Sequence, residues 1–251
     1  METVTSGDGT RLAVERTGSG PPVVCIHGTS ASRDVWDGFA GALDGAECVR
    51  YDRRGRGDSG DADDYSLARE VADARAVVEH VGDLASVAVF GHSFGGVVAF
   101  ELAHRTRLGR LVLYEPPVLG GRHSDPGESF ADRLRATFEA DGPEGVYRTF
   151  HRVPEDAALG PDAWADEPPA RTVVREAVAV ESVDVPDAAD VAAPTRCVLG
   201  DETADGLRRS TAAVRDAVPG AELVVLDGHG HTAVETAPGI VVSRLDGFLP
   251  G

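Results

Sequence analysis

The chain alternates short, almost wholly apolar runs with longer stretches whose apolar residues recur every three or four positions. Pro22-Val23-Val24-Cys25-Ile26, Cys48-Val49-Arg50-Tyr51, Val87-Ala88-Val89-Phe90 and Leu111-Val112-Leu113-Tyr114 are such runs. Thr195-Arg196-Cys197-Val198-Leu199 and Leu223-Val224-Val225-Leu226 continue the series near the end. They read as strands buried on both faces. Between them, Leu67, Val71, Ala74, Val77, Val78 and Val81 repeat at helical spacing. Further helices are predicted after residue 93, near 204–217 and near 232–248. At the start, Thr3-Val4-Thr5 and Leu12-Ala13-Val14-Glu15 flank Gly7-Asp8-Gly9, a hairpin signal. From 118 to 193 prolines and acids rise, and helical patches (128–140, 144–152, 169–182) replace strands. Strands alternating with helices predict an α/β class protein with a mainly parallel sheet covered on both faces. Ligand sites in such sheets lie at the carboxyl ends of the strands. The expected organisation is a core of residues 1–117 and 194–251, with 118–193 inserted as a helical cap over that edge.

Composition narrows the partners. With 24 basic and 42 acidic residues the net charge is −18, and every basic residue is arginine. A surface this acidic disfavours nucleic acid and anionic membranes, which both need a cationic face. A neutral or apolar small molecule is the easier partner. Adaptation to high salt and a GC-rich genome both account for abundant acids without lysine, and the size of the charge leans towards the first. Cys25, Cys48 and Cys197 all lie in strand-like runs and read as buried thiols. Met1-Glu2-Thr3-Val4 has no apolar stretch of a secretory signal, and no run approaches the roughly 18 apolar residues of a membrane span. A soluble cytoplasmic protein, monomeric or homodimeric, is the expectation.

The chemistry centres on Gly91-His92-Ser93-Phe94-Gly95, directly between a strand and a helix. Flanking glycines permit a strained turn with the serine at its apex. A serine placed there projects its hydroxyl from a strand end, at a helix N-terminus whose free N–H groups stabilise negative charge. Serine is a weak nucleophile and needs an imidazole base. Of eight histidines, His231 follows the last strand and a glycine-rich turn, so it falls at the edge where Ser93 must lie; His229 is its near rival.

Together, His27-Gly28-Thr29, the loop Asp52-Arg53-Arg54-Gly55-Arg56-Gly57-Asp58-Ser59, the Gly91–Gly95 turn and Gly228-His229-Gly230-His231 with Glu235 and Pro238 resemble the α/β-hydrolase family, in the family's order. The resemblance covers nearly the whole chain, the 118–193 segment least. It implies an eight-stranded, mostly parallel sheet and a serine nucleophile, Ser93, with His231 as base. It also implies an oxyanion hole built from the backbone N–H groups of Phe94 and Thr29, with His27 and His92 shaping the pocket. Asp52 and Asp58 would then organise their loop through backbone N–H groups.

The acid departs from the family's commonest pattern. An aspartate is usual about three residues past the glycine that ends the strand near 200, and Thr203 stands there. Some members take the acid from the strand after the nucleophile helix, which here is Glu115. Asp201, Glu202 and Asp205 remain alternatives. The resemblance implies hydrolysis of carboxylic esters without a cofactor or metal. Acyl transfer, perhydrolysis, C–C or hydroxynitrile cleavage, and small-molecule sensing stay open, since fold and triad do not separate them. Phe130, Phe138, Tyr147, Phe150 and Trp164 either wall a substrate pocket or pack the cap.

Overall fold

The computed structural model describes residues 1–118, 129–153, 169–185 and 190–250. Trp164 and His123 lie outside them. The strands are β1 (Glu2–Thr5), β2 (Arg11–Gly18), β3 (Pro22–Ile26), β4 (Glu47–Tyr51), β5 (Ala88–His92), β6 (Arg110–Tyr114), β7 (Thr195–Gly200) and β8 (Glu222–Leu226). They form one sheet in the order β1-β2-β4-β3-β5-β6-β7-β8. The β1–β2 and β2–β4 pairs are antiparallel, and all pairs from β4 to β8 are parallel.

Successive residues of a strand face opposite sides, and the apolar runs supply both. On one side Val24, Val89, Leu111 and Leu113 pack against Val77 and Val78 of α2 (Leu67–Val81) and Val97 and Val98 of α3 (Phe94–Arg105). On the other, Cys25, Phe90, Val112 and Val198 meet Trp36, Phe39 of α1 (Asp37–Ala42) and Val241 of α8 (Pro238–Arg244). Phe90 is central there, edge-on to Trp36 and Phe39 with ring centres 4.9 and 5.2 Å away. Truncating such a side chain to alanine costs about 3–5 kcal/mol. The three cysteines are buried and free, with Cys25 Sγ and Cys48 Sγ 3.6 Å apart on neighbouring strands.

Between β6 and β7 stand α4 (Phe130–His151) and α5 (Ala170–Glu181). They pack together through Ala131, Leu134, Val146, Val173 and Ala177. Gly142 adopts φ 65°, ψ −150° and kinks α4 just before Pro143, which accounts for the two separate patches read in the sequence. Phe130 and Phe150 pack against this small core, with ring centres 6.4 Å apart, while Phe138 is 38% exposed.

One local expectation differs. The single final helix near 232–248 is two, α7 (Ala233–Thr236) and α8, because proline disfavours helical geometry in the residue before it. Ala237 accordingly sits at φ −145°, ψ 50°. The short α1 carries two glycines and no apolar period that predicts a helix. α6 (Asp205–Ala217) completes the helical layers. No helix among the described residues is long and apolar enough to cross a membrane.

Candidate active site

Ser93 is the residue between β5 and α3, at φ 53°, ψ −125°. A non-glycine residue in such a region stores about 1–3 kcal/mol of strain and needs its surroundings to hold it. Its N–H donates to the Tyr114 carbonyl at 2.8 Å, and its own carbonyl accepts from the Gly96 N–H at 2.8 Å. The flanking glycines are sterically required. A Cβ on Gly91 would lie 2.3 Å from the Gly95 oxygen, and one on Gly95 would lie 2.1 Å from the Ile26 oxygen. The turn therefore closes only without side chains at those two places.

Across the strand ends, Glu115 follows β6 and is fully buried at φ 46°. Its carboxylate receives three hydrogen bonds. The Gly200 N–H donates to Oε1 at 2.8 Å, the Thr203 hydroxyl donates to Oε2 at 2.7 Å, and His231 Nδ1 meets Oε2 at 2.6 Å. A carboxylate can only accept, so Nδ1 carries the hydrogen, and in the neutral ring Nε2 of His231 keeps its lone pair. The carboxylate that reaches His231 is thus Glu115. Asp201 instead accepts from the Gly228 and His229 N–H groups at 2.7 and 3.3 Å, tying down the turn that presents His231.

His92, next to Ser93, packs against this assembly with its ring tilted 42° from that of His231. Its Nε2 donates to the His231 carbonyl at 2.8 Å, and the ring centres of the two histidines are 4.7 Å apart. Burial, aided by the nearby His231, holds the His92 pKa down at about 3, so the ring is neutral at ordinary pH. The Tyr114 hydroxyl donates to the Gly230 carbonyl, a second tie between β6 and the histidine turn. These contacts bring Ser93 and His231 to one edge of the sheet. Among the described residues no hydrogen bond joins the serine hydroxyl to the imidazole.

The loop after β3 forms the facing wall. Gly28 backs directly onto the serine: a Cβ there would come within 2.9 Å of Ser93 Cβ and 3.4 Å of Oγ. Thr29 follows, then Ser30 at φ 57°. Ser30 Oγ lies 3.4 Å from Nε2 of His151, the last residue of α4, so the inserted helices reach this loop. His27 is buried and its pKa is pushed well below the ordinary imidazole value, by burial first and then by Arg53. Asp52 does organise its loop: it accepts from the Asp58 N–H at 2.9 Å and the Arg33 N–H at 2.8 Å. Asp58 acts otherwise than expected, pairing its side chain with the Arg33 guanidinium at 2.9 Å. Among the described residues, no three His, Cys, Asp or Glu side chains converge to hold a metal ion.

The sequence profile described as the alpha/beta hydrolase family matches residues 23–244. The chain belongs to the α/β hydrolase family. A solved α/β hydrolase from Sphaerobacter thermophilus shares 28% identity and superposes with a TM-score of 0.76, over 97% of this chain and all of that one. An esterase from Exiguobacterium antarcticum has the same fold at 21% identity, with a TM-score of 0.79 over 97% of this chain and 98% of its own. A non-heme haloperoxidase from Rhodococcus erythropolis is 32% identical over 178 residues, 64% of this chain. The matched part spans 65% of that relative's length.

Within this α/β hydrolase, one residue that touches the Glu115–His231 pair went unread in the sequence. Thr203 appeared only as the absence of an aspartate, yet its hydroxyl donates to Glu115. A threonine at position 203 together with a glutamate after β6 was the signal available. The arginines of the loop after β4 were read as part of a turn, and the structure buries Arg53, Arg54 and Arg56 to 2% exposure or less.

Proposed function

We propose that this α/β hydrolase is a serine esterase that cleaves neutral or apolar carboxylic esters through an acyl-enzyme. The observation that carries the reading is the 2.6 Å hydrogen bond between buried Glu115 and His231, at the sheet edge where Ser93 is held in its strained turn. In the reaction His231 Nε2 takes the Ser93 proton as Oγ attacks the ester carbonyl. Glu115 keeps the imidazole in the required tautomer and stabilises the imidazolium. Two backbone donors, the N–H groups of Phe94 and Thr29, receive the oxyanion. His231 then protonates the leaving alcohol, and water attacks the acyl-enzyme by the same route. Hydrogen bonds between nucleophile and base are often long or misaligned before substrate binds, in keeping with the separate Ser93 and His231 side chains. The segment 118–193 serves as the cap, and the contact between His151 and Ser30 supports its placement over this edge. No cofactor takes part.

The test is a stopped-flow time course with p-nitrophenyl acetate and butyrate. A burst of p-nitrophenolate followed by steady turnover, both absent in Ser93→Ala, is the expected result. Turnover that survives Ser93→Ala, or none in the wild type, overturns the reading; tight ligand binding without turnover would make the protein a sensor. The similarity to a haloperoxidase favours one second reading, in which hydrogen peroxide replaces water at the acyl-enzyme. Peracid formed from acetate and peroxide in a Ser93-dependent manner would establish it.

A further inference from the structure

Three buried arginines follow β4, and they are not equivalent. Arg54 closes on Asp73 at 2.6 and 2.7 Å and on Asp8 at 3.1 Å. Arg53 reaches the loop after β3. Its Nε donates to the His27 carbonyl at 3.0 Å, and its Nη2 donates to the Gly28 carbonyl at 3.0 Å. His27 adds a second donor to the same carbonyl, from Nδ1 at 2.9 Å. Nδ1 is the protonated nitrogen because Nε2 accepts from the Arg53 N–H at 3.0 Å.

The Gly28 carbonyl and the Thr29 N–H belong to one peptide plane and point in opposite directions across it. Two donors clamped on the carbonyl therefore set the direction of the Thr29 N–H. Gly28 lies against Ser93, with its ideal Cβ position 3.4 Å from Oγ. A cation behind the carbonyl also polarises the amide and strengthens its N–H as a donor. The same guanidinium lies 4.7 Å from the ring centre of Phe94, the residue carrying the other N–H.

On its far side Arg53 is held by carboxylates from two separate elements. Glu70 of α2 and Glu176 of α5 each accept from it at 2.9 Å, and Arg56 shares Glu176 at 2.5 Å. Arg53, Glu70 and Glu176 are all fully buried. A guanidinium left unpaired in such a place is strongly unfavourable, so the seat of Arg53 depends on α5 being docked.

We propose that Arg53 is a positioning residue that sets the Thr29 amide through the Gly28 carbonyl, and that Glu176 makes this setting depend on the docking of the inserted helices. The kinetic consequence rests on the esterase reading; the orientation of the peptide does not. Three variants separate the cases: Arg53→Lys, Glu176→Gln and, as a structural comparator, Arg54→Lys. Lysine keeps the charge but lacks the planar fork needed to hold carbonyls and carboxylates at once. Each variant is compared with wild type by the amide resonance of Thr29 in a 15N–1H spectrum, by kcat and KM on p-nitrophenyl butyrate, and by inhibition with a trifluoromethyl ketone.

In Arg53→Lys the Thr29 amide proton is expected to move upfield, kcat to fall roughly a hundredfold with KM within about threefold, and the ketone to weaken in step with kcat. Glu176→Gln gives the same signs at smaller size and carries the test if the lysine variant does not fold. Arg54→Lys lowers Tm and leaves the Thr29 resonance in place. An unmoved Thr29 resonance in both Arg53→Lys and Glu176→Gln, or a kcat loss no larger than in Arg54→Lys, overturns the proposal. If the wild type turns over no ester, the resonance alone decides: a shift keeps the role of Arg53 while the esterase reading falls, and no shift removes both.

Discussion

Glu115→Gln is the substitution whose outcome the geometry constrains most tightly. All three partners of the carboxylate are donors: the Gly200 N–H, the Thr203 hydroxyl and His231 Nδ1. Glutamine offers one oxygen and one NH2 group in the same volume. With the NH2 towards Gly200, two N–H groups would face each other in a buried site, at a cost of about 1–3 kcal/mol. The oxygen therefore stays with Gly200, and the NH2 occupies the place of Oε2. Thr203 adapts by rotating its hydroxyl to accept. His231 adapts only by changing tautomer, so that Nδ1 accepts and Nε2 carries the hydrogen. Nε2 is then no longer a base towards Ser93. An equivalent carboxylate-to-amide change in a serine triad lowers kcat by about 10⁴, which corresponds to about 5.5 kcal/mol of transition-state stabilisation. Stability changes little, since each 1 kcal/mol moves Tm by only about 2–4 °C in a chain of this length. The assay is steady-state hydrolysis of p-nitrophenyl butyrate at fixed pH, alongside a melting curve. A kcat within about tenfold of wild type, from a variant that melts normally, would refute the role of Glu115 and the tautomer argument with it.

Three further outcomes follow from the same contacts. Adding Thr203→Asp to Glu115→Gln places a carboxylate where a hydroxyl now meets residue 115, and it should recover kcat by about tenfold or more; no recovery would mean that position 203 cannot reach His231. His92 is neutral when folded, with its pKa lowered from 6.5 to about 3, so the unfolded chain binds the extra proton between those values. Wild-type stability should thus fall as pH drops through that window, by up to about 1.4 kcal/mol per unit from this group, and urea titrations of His92→Gln should show a shallower slope, whereas parallel curves would contradict the cause. Finally, the charge of −18 repels itself at low ionic strength, and salt screens it. Tm should rise between about 0.1 M and about 2 M NaCl, and an unchanged Tm would point to genome composition rather than salt adaptation as the origin of the acidity.

The order of elements was legible in the sequence because it is written locally. A run such as Val87-Ala88-Val89-Phe90 has nowhere to go but the interior of a sheet, and the period of Val71, Ala74, Val77 and Val78 sets one face of α2 inward. The strained serine turn was legible for the same reason, since two glycines within two positions of Ser93 are demanded by contacts of 2.3 and 2.1 Å. The break before α8 was written in Pro238, and the rhythm of apolar residues around it masked the signal.

What the sequence by itself left open was which groups meet. Glu115, Asp201, Glu202 and Asp205 were all acids near strand ends, and only the convergence of β6, β7 and the turn after β8 brings one of them to His231, 116 positions along the chain. Thr203 became a partner of that acid through the same convergence. The arginines after β4 read as part of a turn, and nothing local showed that they would be buried. Their burial depends on carboxylates 17 and 123 positions away, on α2 and α5, which no local pattern connects to them. Hydrophobic periodicity is a property of neighbours in the chain and so survives in the sequence. Pairing a buried charge is a property of neighbours in space, and the tertiary structure alone decides it.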